Sequence, residues 1–175
     1  QDANGCTVIV PVIITQPTAL TAPITAQTDV LCNGASTGSV TVTGANGTSP
    51  YTYASDGTTF VASGTFSALA AGSYTITVKD ANGCIITVPV TITQPTVLTG
   101  SITAQVNVLC NGAATGSVTV AGAAGTSPYT YAIDGVTFVA SGTFGTLAAG
   151  SYTITVKDAN GCIVTVPVTI TQPTL

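Results

Sequence analysis

Every 78 residues this sequence begins again. Cys6, Cys84 and Cys162 stand one period apart, as do Cys32 and Cys110, and residues 23–97 match residues 101–175 at 63 of 75 positions. The phrase Asp-Ala-Asn-Gly-Cys starts at Asp2, Asp80 and Asp158, and Thr-Gln-Pro-Thr closes each copy at Thr15, Thr93 and Thr171. An array this uniform serves length, surface or self-association before it serves one unique catalytic pocket.

Within one period the apolar residues alternate with polar ones, and no helical spacing of useful length occurs. Ser39 to Thr43, Tyr51 to Tyr53, Tyr74 to Lys79 and Thr87 to Thr93 all alternate, and clusters of glycine, asparagine and serine separate them. The pattern predicts strands near 23–31, 38–44, 50–55, 59–67, 73–80 and 84–93. Asn82-Gly83 falls between two of them, the signal for a tight hairpin with positive φ at both central residues. Six or seven short strands per period predict an all-β chain of two tandem immunoglobulin-like β-sandwiches. Their boundaries fall at 20–97 and 98–175, and residues 1–19 form an extra N-terminal strand. Val40, Val42, Tyr53, Phe66, Leu69, Tyr74, Ile76, Val78, Val88, Val90 and Ile92 are the expected core of the first. Leu69-Ala-Ala-Gly-Ser-Tyr74 reads as the turn before a tyrosine corner, which gives Tyr74 and Tyr152 a structural role. Pro11, Pro89 and Pro167 cannot donate to a ladder, so the last strand is an edge or carries a bulge. Such an edge either accepts another chain or is blocked from doing so by the proline.

Composition narrows the chemistry. The chain has no histidine, methionine, tryptophan, arginine or glutamate; its charges are six aspartates and two lysines, Lys79 and Lys157. Acid–base and metal chemistry lean on the missing types, so no catalytic residue, cofactor or metal site is expected. A net charge of −4 excludes the basic surface that nucleic acid requires. The longest apolar run, Val8 to Ile14, is broken by Pro11 and is too short to span a bilayer, so no membrane insertion is expected. Starting at Gln1 in mid-repeat and without methionine, the chain reads as a processed form or a segment of something longer. Charged residues make up only 5% of it and one residue in five is threonine, so little electrostatic repulsion opposes association.

Residues 1–19 depart from the repeat. Ile9 and Ile13 stand where Thr87 and Thr91 stand one period later, while Val8, Val10 and Val12 keep the other face apolar. A strand apolar on both faces wants burial on both. Val8, Ile9, Val10, Val12, Ile13 and Ile14 are therefore the expected assembly strand, packing into or against a neighbouring subunit; the alternative is that they close an upstream repeat.

Five cysteines with no histidine to share a zinc site imply disulfides and an oxidising compartment. The simplest pairing lies within each repeat, Cys32–Cys84 and Cys110–Cys162, leaving Cys6 for another chain or an upstream repeat. If the first strand runs the full length of the sandwich, however, Cys32 and Cys84 lie at opposite poles, and the bond must join successive units or subunits instead. Asp56-Gly57 and Asp80-Ala81-Asn82 offer too few oxygens for calcium and read as turns. Asn46-Gly47-Thr48 is a glycosylation sequon, with Ala124 in place of the asparagine in the second copy.

The residues Cys32-Asn-Gly-Ala-Ser-Thr-Gly-Ser, Ser49-Pro-Tyr-Thr-Tyr53, Leu69-Ala-Ala-Gly-Ser-Tyr-Thr-Ile-Thr-Val78 and Asp80-Ala-Asn-Gly-Cys84 through Pro95 resemble the SprB-type repeat. That family comprises tandem surface repeats of Bacteroidetes-like bacteria. The resemblance implies a secreted, cell-surface, β-rich adhesin or fibre with no catalytic residues to carry over. After Tyr53, where related repeats carry an aromatic-rich segment, this chain has Ala54-Ser55. The leading expectation is a structural or adhesive unit of an extracellular filament or surface stalk, built from disulfide-tied sandwiches in series joined by short Gln-Pro-Thr linkers, and self-associating into a filament, with strand addition as one route. The alternative is a module that binds glycans or surfaces, with Tyr51, Phe60, Tyr129 and Phe138 as stacking platforms if they do not instead complete the core.

Overall fold

The structure, a computed structural model, describes residues 1–174. One architecture is built twice, each time as two three-stranded sheets. In the first copy β1 (Ile24–Thr28), β2 (Gly38–Val42) and β4 (Thr65–Leu69) form one sheet in the order β1-β2-β4. Its other sheet, in the order β3-β5-β6, contains β3 (Thr52–Ala54), β5 (Gly72–Lys79) and β6 (Ile85–Ile92). The second copy repeats the plan with β7 (Thr99–Val106), β8 (Gly116–Ala123) and β10 (Thr143–Leu147), and with β9 (Thr130–Ala132), β11 (Gly150–Lys157) and β12 (Ile163–Ile170). Every strand pairing is antiparallel, and no helix occurs among the described residues. This is the expected all-β arrangement of tandem sandwiches.

Alternation decides which side chains meet between the sheets. Val40, Val42, Ile76, Val78, Val90 and Ile92 point inward and are buried with Tyr53. Val118, Val120, Ile154, Val156, Val168 and Ile170 do the same in the second copy. Phe66, Leu69, Tyr74 and Val88 are packed against the first core but only partly buried. Val30, outside the expected set, is buried because the chain leaving β1 folds inward; its N–H donates to Thr93 O at 2.9 Å. Two tyrosines close each core with their hydroxyls. Tyr74 donates to Ala70 O and Tyr152 to Ala148 O, each at 3.0 Å, as the tyrosine-corner reading expects. Tyr53 Oη accepts the Gly44 N–H at 3.0 Å.

Two local expectations are corrected. The segment 59–67 is not one strand. Asp56 Oδ1 accepts the N–H groups of Thr58 and Thr59, which holds 56–59 in a turn, and Val61 makes only an isolated bridge to Tyr53. The strand begins after Gly64, which passes so close to β2 that a Cβ there would lie 2.0 Å from Val42 O. The β5–β6 connection is also not a two-residue turn. Only Gly83 has positive φ, at 84°, and its N–H donates to Asp80 O while Asp80 N donates to Cys84 O. This is a three-residue loop, in which one left-handed glycine suffices.

The β5–β6 hairpin is the longest ladder of its repeat, with eight pairs from Gly72↔Ile92 to Lys79↔Ile85. Strand β6 pairs only with β5, which makes it a sheet edge, and Pro89 sits in it opposite Thr75. That is where a residue without an N–H is tolerated.

Candidate functional site

The hairpin also fixes where the cysteines lie. Thr93 N donates to Asp29 Oδ1 at 2.9 Å, Asn33 Nδ2 donates to Pro95 O at 2.9 Å, and Gly34 N donates to Gln94 Oε1 at 2.7 Å. The loop carrying Cys32 is thereby tied to the C-terminal end of β6. Cys84 lies at the other end, nine residues earlier along an extended strand, roughly 30 Å away at about 3.3 Å per residue. A disulfide needs Cα atoms within about 7 Å. The Cys32–Cys84 and Cys110–Cys162 pairings favoured from the sequence are therefore not formed.

Instead Cys32 is bonded to Cys162, with Cα atoms 5.6 Å apart. The bond joins one pole of the first sandwich to the opposite pole of the second. Cys6, Cys84 and Cys110 are free and exposed. Around the bond, Asn160 Nδ2 donates to Leu31 O at 2.9 Å and to Thr126 Oγ1 at 3.0 Å. Asn33, Val97, Leu98 and Ile163 line a crevice of about 370 Å³ beside the sulfurs.

The connecting segment is held from both sides. Gln94 and Pro95 are bonded to the first sandwich, while Thr96 O accepts Gly125 N and Leu98 is buried on the second. Only the Pro95–Thr96 junction lies between these anchors.

A buried carboxylate organises each receiving pole. Asp158 Oδ1 accepts the N–H groups of Asn160 and Cys162 at 3.0 and 2.9 Å, and its Oδ2 accepts Thr126 N at 3.0 Å. Asp80 does the same for Asn82, Cys84 and Thr48. The bonds from Thr48, Cys84 and Asn82 outweigh burial and lower the Asp80 pKa. Asp2 already holds Asn4 N and Cys6 N in this manner within residues 1–6. The phrase Asp-Ala-Asn-Gly-Cys is therefore a device that presents a cysteine and an asparagine amide at a pole. Asp56 and Asp134, by contrast, make ordinary turns. The amides of Val136 and Thr137, with the Thr137 hydroxyl, bring the Asp134 pKa down to about 2.

The remaining expected site residues are placed as follows. Val8, Ile9, Val10, Val12, Ile13 and Ile14 lie outside every strand and are 71–91% exposed. Exposed Asn46 donates its side-chain amide to Thr21 Oγ1 at 3.0 Å. Tyr51 and Tyr129 pack against the two cores. Lys79 Nζ sits 4.1 Å from the Phe60 ring centre and Lys157 Nζ 3.7 Å from that of Phe138, so each ring carries a cation on one face. Among the described residues no cluster of three or more histidine, cysteine, aspartate or glutamate side chains is assembled, and no helix is long and apolar enough to cross a membrane.

No curated protein sequence matches the chain. Among solved structures it is similar to three N-terminal domains of the bacteriophage RB49 highly immunogenic outer capsid protein. That likeness has 18% identity and a TM-score of 0.49, covering 88% of this chain and 59% of that one. It is also similar to fibronectin(III)-like modules of Clostridium thermocellum CbhA, at 15% identity and a TM-score of 0.35, covering 87% of this chain and 95% of that one. A third likeness is to extracellular domains 3–5 of Drosophila OTK, at 16% identity and a TM-score of 0.35, covering 85% of this chain and 60% of that one. At these identities nothing about binding or assembly passes from them to this chain. The SprB repeat family matches residues 24–59 and 102–138. Each match runs from the first strand of a sandwich past its Pro-Tyr-Thr-Tyr segment and includes Cys32 or Cys110, while the Asp-Ala-Asn-Gly-Cys loops lie outside it. The SprB repeat model thus matches one segment in each of the two sandwiches.

Proposed function

We propose that this chain is a structural, adhesive unit of an extracellular bacterial filament or long surface adhesin, and that its work is mechanical rather than catalytic. The observation that carries this reading is the Cys32–Cys162 bond, which ties opposite poles of successive sandwiches. A bond inside one sandwich would stabilise that sandwich alone. A bond between poles passes tension from one unit to the next through a covalent link beside the Gln94-Pro95 connection.

Persistence of such a bond calls for an oxidising, extracytoplasmic setting. The near-uncharged, threonine-rich composition suits a surface that meets other copies of itself. In this reading the working units are 20–97 and 98–175, and residues 1–19 supply the segment that engages a neighbouring subunit. Their two-sided apolar face, exposed in the isolated chain, supports that role.

Negative-stain electron microscopy of concentrated protein in oxidising buffer tests the reading. Regular fibres or end-to-end strings are expected. A chain that stays a monodisperse monomer at millimolar concentration overturns it.

A further inference from the structure

The bonded joint uses the Cys32 and Cys162 half-joints and leaves the others that the repeat provides open. Displacing Cys32 by one period gives Cys110, and displacing Cys162 back by one period gives Cys84; both are free and exposed. Their surroundings reproduce the joint. At the Cys110 pole Asn111 Nδ2 donates to Pro173 O at 3.0 Å and Gly112 N to Gln172 Oε1 at 2.9 Å, as Asn33 and Gly34 do for Pro95 and Gln94. At the Cys84 pole Asp80 holds Asn82 N and Cys84 N, and Asn82 Nδ2 donates to Thr48 Oγ1 at 2.8 Å. Asn160 makes the same bond to Thr126 and a second one, across the joint, to Leu31 O. The Asn82 amide therefore has one N–H placed for the equivalent carbonyl, that of Leu109. The Leu109 side chain is 73% exposed, against 51% for Leu31 at the bonded joint.

We propose that Cys110 of one copy of this chain and Cys84 of a second copy form the joint that Cys32 and Cys162 form within one copy. The chain then has complementary ends and grows head to tail. The inference rests on the reading of the chain as a self-associating unit and names the contact through which it associates. The two cysteines cannot meet within one copy, because they lie at the two poles that the Cys32–Cys162 joint leaves outward.

The second copy's residues 15–22 leave from the docked pole, where Thr18 Oγ1 donates to Asn46 O and Thr21 pairs with Ala45. Its residues 7–14, one period before β6, are thereby delivered to the flank of the first copy's 98–175 sandwich.

The bond forms by two exchanges with a small disulfide such as glutathione disulfide. The Cys110 thiolate attacks it and expels one thiolate, leaving a mixed disulfide; the Cys84 thiolate of the second copy then attacks the Cys110 sulfur and expels the other. Two protein thiols lose two protons and two electrons, and the small disulfide becomes two thiols.

The test uses the whole chain with Cys6→Ala, oxidised in glutathione buffer and run on a non-reducing gel. A ladder of covalent oligomers is expected, and chymotryptic maps should link the Cys84 peptide to the Cys110 peptide. Adding Cys84→Ala or Cys110→Ala should leave monomer alone, whereas mixing those two variants should give dimer and nothing longer. Dimers from either variant by itself, or a mixture that stays monomeric, overturn the proposal. Electron microscopy separates it from the broader reading. Fibres that form without any Cys84–Cys110 linkage remove this joint and leave the filament standing, while a covalent ladder with no ordered fibre keeps the joint and removes the filament.

Discussion

Single residues carry the clearest signs of what this repeat tolerates. Ala124 adopts φ 57° where the first repeat has Asn46 at φ 67°. A left-handed alanine costs on the order of 1–2 kcal/mol and asparagine less. Ala124→Asn should therefore raise the stability of the second sandwich by up to about 1 kcal/mol, read as a higher melting temperature of the 98–175 sandwich. Gly64→Ala should act in the opposite direction. Its Cβ would meet the Val42 carbonyl rather than a movable side chain, so a loss of about 1–3 kcal/mol is expected.

The aspartates set the pH limit. Backbone N–H groups donate to Asp29, Asp56, Asp80 and Asp134 and hold all four below the ordinary carboxylate value. The folded state thus binds fewer protons than the unfolded chain. The stability they contribute is present above the unfolded pKa near 3.9 and is lost as pH falls through the folded values, to about 2 for Asp134. Denaturant midpoints should be flat from pH 7 to about 5 and fall steeply between about 4 and 2. A midpoint that rises on acidification contradicts this.

At the scale of elements, alternation was sufficient wherever a strand had one wet and one dry face. That is why β2, β5 and β6 and most of their inward residues were legible in the sequence. Alternation also misled at 59–63, where Thr59-Phe60-Val61 has strand composition but Asp56 binds the amides of Thr58 and Thr59. Val30 escaped notice because its burial depends on a hydrogen bond to Thr93, more than sixty positions away. The pole device was hidden for a related reason. Asp-Ala-Asn-Gly-Cys reads as a hairpin turn, and nothing local says that its aspartate also reaches Thr48. Ile76→Ala should cost about 2–5 kcal/mol, because that side chain is fully enclosed between the sheets. The loss should appear in the first sandwich and leave the second largely unaffected.

For the whole molecule, the joint is what the period alone could not decide. The spacing of the cysteines permits pairing within a repeat or between repeats, and only the length of β6 separates the two ends of one sandwich. The joint also changes the stability argument. With Cys32 and Cys162 both beside the linker, the bond closes a loop in whichever repeat unfolds first: 98 − 32 = 66 residues in one and 162 − 98 = 64 in the other. Chain entropy assigns about 4 kcal/mol to such loops. Cys32→Ala or Cys162→Ala should therefore lower the first melting transition by roughly 10 °C or more, whereas Cys84→Ala should leave monomer melting unchanged.

The most direct measurement is a non-reducing tryptic map of the monomer. Cleavage at Lys79 and Lys157 divides the chain into 1–79, 80–157 and 158–175. A joint between repeats predicts that 1–79 and 158–175 remain linked while 80–157 is released with two free thiols. Finding 80–157 bonded to either neighbour would mean that each sandwich is tied to itself, and the account of a covalent pole-to-pole chain would be wrong.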